Sequence, residues 1–172
     1  DASSSYIRSN TEPSLSGDFT IEAWIYPKSL SGTKVLFSSQ ASTNVQLPRI
    51  QTNGGVYVYI NEELNSGSTA TDLANLNQWH HFALTRSGST VYAFVNGTEI
   101  WNTAFTGTFS VGVIGAFFFS GGYYTTADYD FDGYVSNARV IAGTALYTAD
   151  FDVPTTPLTA VTNTELLTCQ SN

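Results

Sequence analysis

The alternation of apolar and other side chains in residues 18–26 constrains the fold of this chain more than any other feature. Every second residue from Phe19 to Ile25 is apolar, and a period of two is the period of a β-strand. The opposite face carries Trp24 and Tyr26, so we expect neither face of this strand to be simply solvent-exposed. This pattern is typical of a sandwich in which the outward side of a sheet is itself a recognition surface.

Shorter alternating stretches recur along the chain and are separated by turn signals. The clearest turn is Asn96-Gly97, which joins residues 90–95 to residues 98–101, because a type I′ hairpin turn needs positive φ at both central positions. No stretch shows a convincing long helical period. We therefore predict an all-β fold, an antiparallel two-sheet jelly-roll β-sandwich, built as a single domain over residues 1–172 and excised from a larger chain.

The charge balance argues against two classes of partner. Fourteen acidic residues against six basic ones give a net charge of −8, which disfavours binding to nucleic acid or to anionic membrane surfaces. The apolar runs are far too short to insert into a membrane. Cys169 is the only cysteine, so an intrachain disulfide is impossible and the fold must depend on its core and on any metal that it binds.

Three alternating carboxylates, Asp128, Asp130 and Asp132, form the strongest candidate for a metal site. Carboxylates this close repel one another unless a cation or water separates them, and calcium prefers such converging oxygens. A helix-flanked EF-hand is excluded, because the last ligand position of its loop would be Arg139 rather than glutamate. The sequence thus predicts calcium at these three residues, with an exposed and solvated acidic loop as the alternative.

Four motifs in sequence order resemble those of laminin G-like domains, which belong to the concanavalin A-like lectin/glucanase superfamily. They are residues 19–27, residues 79–86, residues 91–97, and residues 131–135 with Arg139-Val140. The tail from Ala145 to Cys169 is similar to the branch found in phage virion and tail-fibre proteins and in surface adhesins. The resemblance implies a module on an extracellular or virion surface that binds a glycan or a cell-surface receptor, with calcium at a loop edge.

Aromatic side chains beside the acidic residues are the candidate ligand contacts. Sugars expose apolar C–H faces between hydroxyl groups, so a sugar site pairs a flat ring with carboxylate or amide partners. A glycine-flanked loop just before the acidic residues and a concave sheet face offer such rings. The predicted ligand-binding residues are Tyr57, Tyr59, Trp101, Tyr123, Tyr124 and Asp128. For Trp24, Trp79 and most phenylalanines, we expect packing in the core.

Two functions from other classes compete with a non-catalytic recognition module. A structural virion or fibre module would bind no ligand and would hold neighbouring domains, or copies of itself in a homo-oligomer. A glycoside hydrolase of the same superfamily would need a proton-donating carboxyl group and a second carboxylate across a cleft, whereas its usual outer Glu positions are Asp128 and Asp132 here. His80 and His81 are strand neighbours that face opposite ways and cannot bind one metal together. We predict no catalytic residues.

Overall fold

The computed structural model describes residues 6–32, 34–39, 49–52, 56–59, 66–68, 75–115, 118–119, 122–123 and 129–170. These residues form sixteen β-strands and no helix. The strands are β1 (Ile7–Arg8), β2 (Ser14–Leu15), β3 (Phe19–Pro27), β4 (Lys34–Ser38), β5 (Arg49–Thr52), β6 (Val56–Tyr59), β7 (Ser66–Ser68), β8 (His80–Ser87), β9 (Thr90–Val95), β10 (Thr98–Ala104), β11 (Phe109–Ser110), β12 (Val113–Ile114), β13 (Phe118–Phe119), β14 (Gly122–Tyr123), β15 (Gly133–Ala142) and β16 (Thr164–Thr168). The predicted all-β class is confirmed. Among the described residues, no helix is long and apolar enough to span a membrane.

Two six-stranded antiparallel sheets make up the sandwich. The first has the order β1-β12-β4-β5-β6-β7, and the second has the order β10-β9-β8-β3-β15-β16. Two short pairs, β2 with β11 and β13 with β14, accompany them among the described residues. Phe37 of the first sheet lies 6.4 Å from Phe82 of the second, measured between ring centroids. The two sheets therefore face each other across a shared core.

The alternation in β3 directs one face of the strand into that core. Its four inward residues, which are at most 1% exposed, are Phe19, Ile21, Ala23 and Ile25. Burying each large apolar side chain contributes about 1.5–3 kcal/mol. The strand lies between β8 and β15 in the second sheet, as expected of an element that contributes this much to the core.

The outer face of the second sheet is partly covered by residues 143–160, termed the strap. The strap has no regular secondary structure, but side chains of the sheet bind its backbone. Thr20 Oγ1 donates to the Thr144 carbonyl oxygen at 2.9 Å, and Arg139 Nη1 donates to the Thr159 carbonyl oxygen at 2.7 Å. Both ends of the strap are thus held against the sheet.

Two aromatic rings of the strap exclude water from that outer face. Tyr147 and Phe151 stack with their ring centroids 3.6 Å apart, and both contact Phe94 of β9 edge-on, at 6.3 and 5.3 Å between centroids. Thr20 and Glu22 lie on the outer face of β3 and are nevertheless fully buried. The strap therefore provides this sheet with a second buried layer.

The predicted hairpin at Asn96-Gly97 is confirmed. β9 and β10 pair antiparallel, and φ is 52° at Asn96 and 79° at Gly97. The turn also binds the strap, because the Phe151 amide donates to the Gly97 carbonyl oxygen at 2.9 Å. A Cβ atom at position 97 would overlap the Phe151 carbonyl group. Glycine is therefore required there by the turn and by the close approach of the strap.

Candidate functional site

A cavity of about 520 Å³ opens on the outer face of the second sheet, beside the strap. The sheet and the residue before β8 supply one side, and the strap supplies the other. This cavity, termed the tryptophan pocket, is lined by Trp24, Trp79, Ser136, Asn137, Val153, Pro154, Thr155, Thr156 and Pro157. None of these lining residues carries a charge. The pocket is apolar at its rings and prolines and polar at its hydroxyl and amide groups.

The pairing of β3 with β15 determines which side chains form one side of the pocket. Trp24 and Ser136 are directly paired, so both side chains leave the sheet on the same face. The register of the two strands shifts between Ser136 and Arg139, and Asn137 has a φ of 50° at this irregularity. Such bulges re-aim side chains, and consecutive residues Ser136 and Asn137 both line the pocket here.

Hydrogen bonds fix the polar groups of this side. The backbone amide of Asn137 donates to the Cys169 carbonyl oxygen at 2.8 Å. The side-chain oxygen Oδ1 of Asn137 accepts from the backbone amide of Leu158 at 3.1 Å and from Gln170 Nε2 at 3.0 Å. Asn137 Nδ2 donates to Ser136 Oγ at 3.0 Å. The strap and the chain after β16 thereby preorganise the pocket before any ligand arrives.

The two tryptophans present their rings to the pocket in different ways. Trp24 is partly buried and meets the His81 ring edge-on, with 5.3 Å between centroids. Trp79 is 46% exposed and lies edge-on to Tyr26 at 5.5 Å. The expectation that Trp24 and Trp79 pack in the core is therefore wrong, because residues 153–157 of the strap lie on the opposite side of a cavity and leave both rings lining it. A large exposed ring in this position marks a surface that another molecule can cover.

A buried polar cluster lies beneath the strap, on the same sheet face. Glu22 Oε1 accepts from Arg139 Nε at 2.9 Å and from Arg139 Nη2 at 2.5 Å. Glu22 Oε2 accepts from His81 Nε2 at 3.1 Å and from the Tyr147 hydroxyl at 3.0 Å. The predicted packing and hydrogen-bonding role of His81 is thus confirmed: its ring contacts Trp24, Tyr147 and Phe151 edge-on and donates to the Glu22 carboxylate.

The cluster keeps Glu22 ionised. Burial raises the pKa of Glu22, but the hydrogen bonds from His81 and Arg139 and the charge of Arg139 outweigh burial and hold the pKa below its ordinary value. Burial, followed by the neighbouring Glu22 carboxylate, raises the pKa of the Tyr147 phenol. Glu22 is therefore an ionised structural group, whereas glycoside hydrolysis needs a carboxyl group that carries a proton.

The structure describes two of the three predicted calcium ligands. Asp128 lies outside the described residues, Asp130 is partly buried and Asp132 is exposed. The backbone beside Asp130 is joined to the first sheet, because the Val35 amide donates to the Tyr129 carbonyl oxygen at 2.9 Å. Within the described part of the chain, no group of three or more His, Cys, Asp or Glu side chains is placed to hold a metal ion. Calcium binding therefore stays a prediction.

The predicted aromatic contacts are only partly described. Tyr124 lies outside the described residues, and for Tyr57, Tyr59 and Tyr123 the structure describes the backbone alone, within β6 and β14. Trp101 is partly buried and packs against the hydrophobic core. Among the predicted site residues whose side chains are described, none lines the tryptophan pocket.

Sequence reasoning missed this pocket because four separate stretches of the chain line it: Trp24, Trp79, residues 136–137 and residues 153–157. Ser136 and Asn137 face strap residues 153–157, which follow no periodic pattern. One signal was present in the sequence, namely the placement of Trp24 and Tyr26 on the outward face of β3, which indicated a recognition surface there. The signal identified the sheet face but not the segment that completes the cavity.

A laminin G-type family model, described as the concanavalin A-like lectin/glucanases superfamily, matches residues 1–148. Among the curated proteins, no sequence matches this chain. The solved structures with a similar fold include a pentraxin, a laminin fragment and a carbohydrate-binding module.

The native heptameric SAP-like pentraxin of Limulus polyphemus has a TM-score of 0.62 at 20% identity, covering 83% of this chain and 71% of the pentraxin chain. The LG4-5 domains of the mouse laminin α1 chain give 0.54 at 17% identity, covering 87% of this chain and 44% of that one. The CBM40 of the Ruminococcus gnavus IT-sialidase gives 0.57 at 18% identity, with coverages of 77% and 79%. Identities this low show a common fold and leave function to be argued from the site.

Proposed function

The chain belongs to the concanavalin A-like lectin/glucanases superfamily, and we propose that it is a non-catalytic module that binds carbohydrate in the tryptophan pocket. The observation that carries this proposal is Trp79, a ring that is 46% exposed at an uncharged cavity with fixed hydroxyl and amide groups. The CBM40 of similar fold is described as bound to α2,3 sialyllactose, and this supports the choice of ligand class.

Sugars suit this pocket because they have two kinds of surface. Their C–H faces are apolar and pack against aromatic rings, whereas their hydroxyl groups need hydrogen-bond partners once water is removed. Trp24 and Trp79 offer the rings, while the Thr155 hydroxyl and the second N–H of Asn137 Nδ2, which uses one N–H on Ser136, offer hydrogen-bond partners. The cavity volume is within the range of small-molecule sites, and the uncharged lining favours a neutral sugar face over an ion.

Glycan-array binding of the wild-type chain and of Trp79→Ala tests the proposal. Truncating a ring that provides central contact energy costs about 2 kcal/mol or more, which corresponds to about thirtyfold in affinity. We therefore expect every glycan that the wild type retains to bind Trp79→Ala at least about thirtyfold more weakly. Val161→Ala is the matched control, because Val161 is an apolar side chain of similar exposure (41%) that does not line the pocket.

Two outcomes of this experiment would contradict the proposal. If the wild type retained no glycan, the structural-module alternative would replace it. If Trp79→Ala bound the same glycans with unchanged affinity, carbohydrate would bind elsewhere on the molecule. Thermal unfolding of all three proteins separates lost binding from lost folding.

The module is proposed to be non-catalytic because the pocket lacks the required acids. Glycoside hydrolysis uses a pair of carboxyl groups on either side of the scissile bond. No carboxylate is among the residues that line the tryptophan pocket, and the nearby Glu22 is buried with its pKa lowered. The chemistry available in the pocket is therefore binding through rings and hydrogen bonds.

The proposal also includes calcium at the acidic residues and a place on an extracellular or virion surface, in a phage fibre or an adhesin. Asp128, Asp130 and Asp132 supply the hard oxygen donors that calcium prefers. The partly buried Asp130 follows a backbone hydrogen bond between Val35 and Tyr129, which favours an ordered segment over a freely solvated one. Calcium would stabilise this segment without entering the tryptophan pocket.

A further inference from the structure

Three aromatic rings form a row on the outer face of the second sheet. Tyr134 of β15 is paired with Tyr26 of β3, and their ring centroids are 5.6 Å apart. On the other side of Tyr26, the Trp79 ring lies at 5.5 Å. Because neighbouring strands are about 4.8 Å apart, a row across three of them extends about 10 Å. That length exceeds a single sugar ring.

The two ends of this row are unusually exposed. Tyr134 is 53% exposed and Trp79 is 46% exposed, more than any other large apolar side chain that the structure describes. Tyr26, between them, is partly buried. Exposed rings that adjoin one another across a sheet mark an interaction surface, whereas singly scattered ones need no explanation.

The row also joins two concavities. Trp79 lines the tryptophan pocket, while Tyr134 lines a second cavity of about 240 Å³ together with Tyr6, Phe131 and Val135. A molecule that lies along the row is therefore in contact with the tryptophan pocket at one end and with this second cavity at the other. The row is thus longer than the tryptophan pocket alone and has a cavity at each end.

Lys28 adds hydrogen-bond donors at the Tyr134 end. Its Nζ lies 4.3 Å from the centroid of the Tyr134 ring, and its side chain is exposed. The ammonium group has three N–H donors and no acceptor, which suits the oxygen atoms of a sugar. The Tyr134 side chain and, to a lesser extent, Asp132 interact with the same ammonium group, so Lys28 is held at this end of the row.

We infer that the ligand is a linear oligosaccharide laid along this row, with one unit in the tryptophan pocket and later units over Tyr26 and Tyr134, where Lys28 donates to them. The inference rests on the proposed carbohydrate binding and specifies its ligand as an internal stretch of a chain rather than a terminal sugar. Tyr134 and Lys28 contact only the later sugar units, so they determine how much more tightly a long oligosaccharide binds than a short one.

A length series tests this inference. The probes are linear oligosaccharides, from monosaccharide to hexasaccharide, of glucose, mannose, galactose, xylose, N-acetylglucosamine and uronic acid, titrated into the full chain by calorimetry. In each series that binds, the affinity of the wild type is expected to rise by about tenfold or more from monosaccharide to tetrasaccharide, because one further aromatic contact contributes about 1.4 kcal/mol. Tyr134→Ala should abolish this rise and leave monosaccharide affinity unchanged, whereas Tyr134→Phe, which keeps the ring, should retain most of it.

The outcomes distinguish the inference from the function on which it rests. Binding that is equal for all lengths, or a length dependence that survives in Tyr134→Ala, would overturn the inference while leaving carbohydrate binding in place. A wild type that binds no series at any length would overturn the inference, and the glycan array then decides whether carbohydrate binding itself stands. Thermal unfolding of the Tyr134 variants shows whether they are folded, so that a missing increase of affinity with oligosaccharide length is not mistaken for a folding defect.

Discussion

Glu22 is the residue at which the hydrogen bonds of the outer sheet face converge. Four donors, from Arg139, His81 and Tyr147, reach its two oxygens, and its side chain is fully buried. Dehydrating a carboxylate costs several kcal/mol, which only complete pairing offsets. If the carboxylate were removed, Arg139, which is itself 6% exposed, would remain buried without its anion.

Glu22→Gln is therefore expected to lower the free energy of unfolding by about 3–5 kcal/mol at neutral pH. Denaturant unfolding followed by tryptophan fluorescence measures this loss. Glu165→Gln is the matched control, because Glu165 is exposed on β16 and should change stability by less than about 0.5 kcal/mol. If Glu22→Gln lost no more stability than Glu165→Gln, the buried cluster would make no net contribution to the free energy of unfolding.

The same variant has a predicted pH dependence. The folded pKa of Glu22 lies below its ordinary value of 4.5, so its stabilisation is present above pH 4.5 and is lost as the pH falls through the lower folded value. The difference in unfolding free energy between wild type and Glu22→Gln should therefore shrink below pH 4.5. A difference that stays constant down to pH 2 would contradict the assigned pKa shift.

The tryptophans show what can be predicted for single residues. The period of β3 correctly assigned Trp24 and Tyr26 to the outward face, because side-chain direction in a strand depends only on position along the chain. Whether such a residue is covered depends on another segment, and Trp24 and Trp79 were both wrongly assigned to the core for that reason. Exposure is decided by how residues 153–157 of the strap lie against this face, which no local pattern of residues 18–26 or 79–86 contains.

At the scale of elements, the strap determines the character of the second sheet. It buries the part of the outer face that carries Thr20 and Glu22, and its residues 153–157 form one side of the tryptophan pocket. Its attachment to the β9–β10 turn passes through the Gly97 carbonyl oxygen and the Phe151 amide. A change at this turn should therefore disturb a pocket to which the turn contributes no side chain.

Gly97→Ala tests this connection, with Gly88→Ala as its matched control. Both glycines have positive φ, but an added Cβ meets nothing within 4 Å at Gly88 and overlaps the Phe151 carbonyl group at Gly97. The free energy of unfolding should fall by about 1–2 kcal/mol in Gly88→Ala, because alanine is strained at positive φ. In Gly97→Ala it should fall by roughly 1 kcal/mol more, because the added Cβ also displaces the strap. Only Gly97→Ala should weaken glycan binding, and equal binding losses in the two variants would contradict a role for the strap.

The regular elements were predictable because their signals are local. The alternation in β3 and the Asn96-Gly97 turn follow from strand period and from φ requirements, and both are confirmed. The strap gave no such signal, since its Tyr147 and Phe151 are positioned by stacking and by contacts with Phe94 from a different element. Tertiary packing of an irregular segment was beyond what local patterns determine.

At the scale of the whole molecule, the acidic residues and the tryptophan pocket are separate features with separate predictions. No acidic residue lines the tryptophan pocket, and Asp130 is joined through its neighbour Tyr129 to the first sheet. Calcium at Asp128, Asp130 and Asp132 would therefore change the stability of the folded chain more than its glycan binding. A carbohydrate would act on the pocket side of the second sheet.

Calcium is expected to raise the melting temperature of chelator-treated wild-type protein, because a ligand that binds only the folded state stabilises it by mass action. Asp130→Ala should lose this shift, while Glu165→Ala, which removes an exposed carboxylate of β16, should keep it. Differential scanning calorimetry with calcium and with chelator measures both. An absent shift in the wild type, or an unchanged shift in Asp130→Ala, would remove calcium from these residues.

The central claim, that carbohydrate binds in the tryptophan pocket, is tested most directly by the three indole N–H resonances of the protein. Trp24 and Trp79 line the pocket, whereas Trp101 packs against the core, so one spectrum contains two reporters and an internal control. On titration with the glycan that binds most tightly on the array, the Trp79 and Trp24 resonances should shift and the Trp101 resonance should not. Binding that leaves both pocket resonances unmoved would contradict the claim.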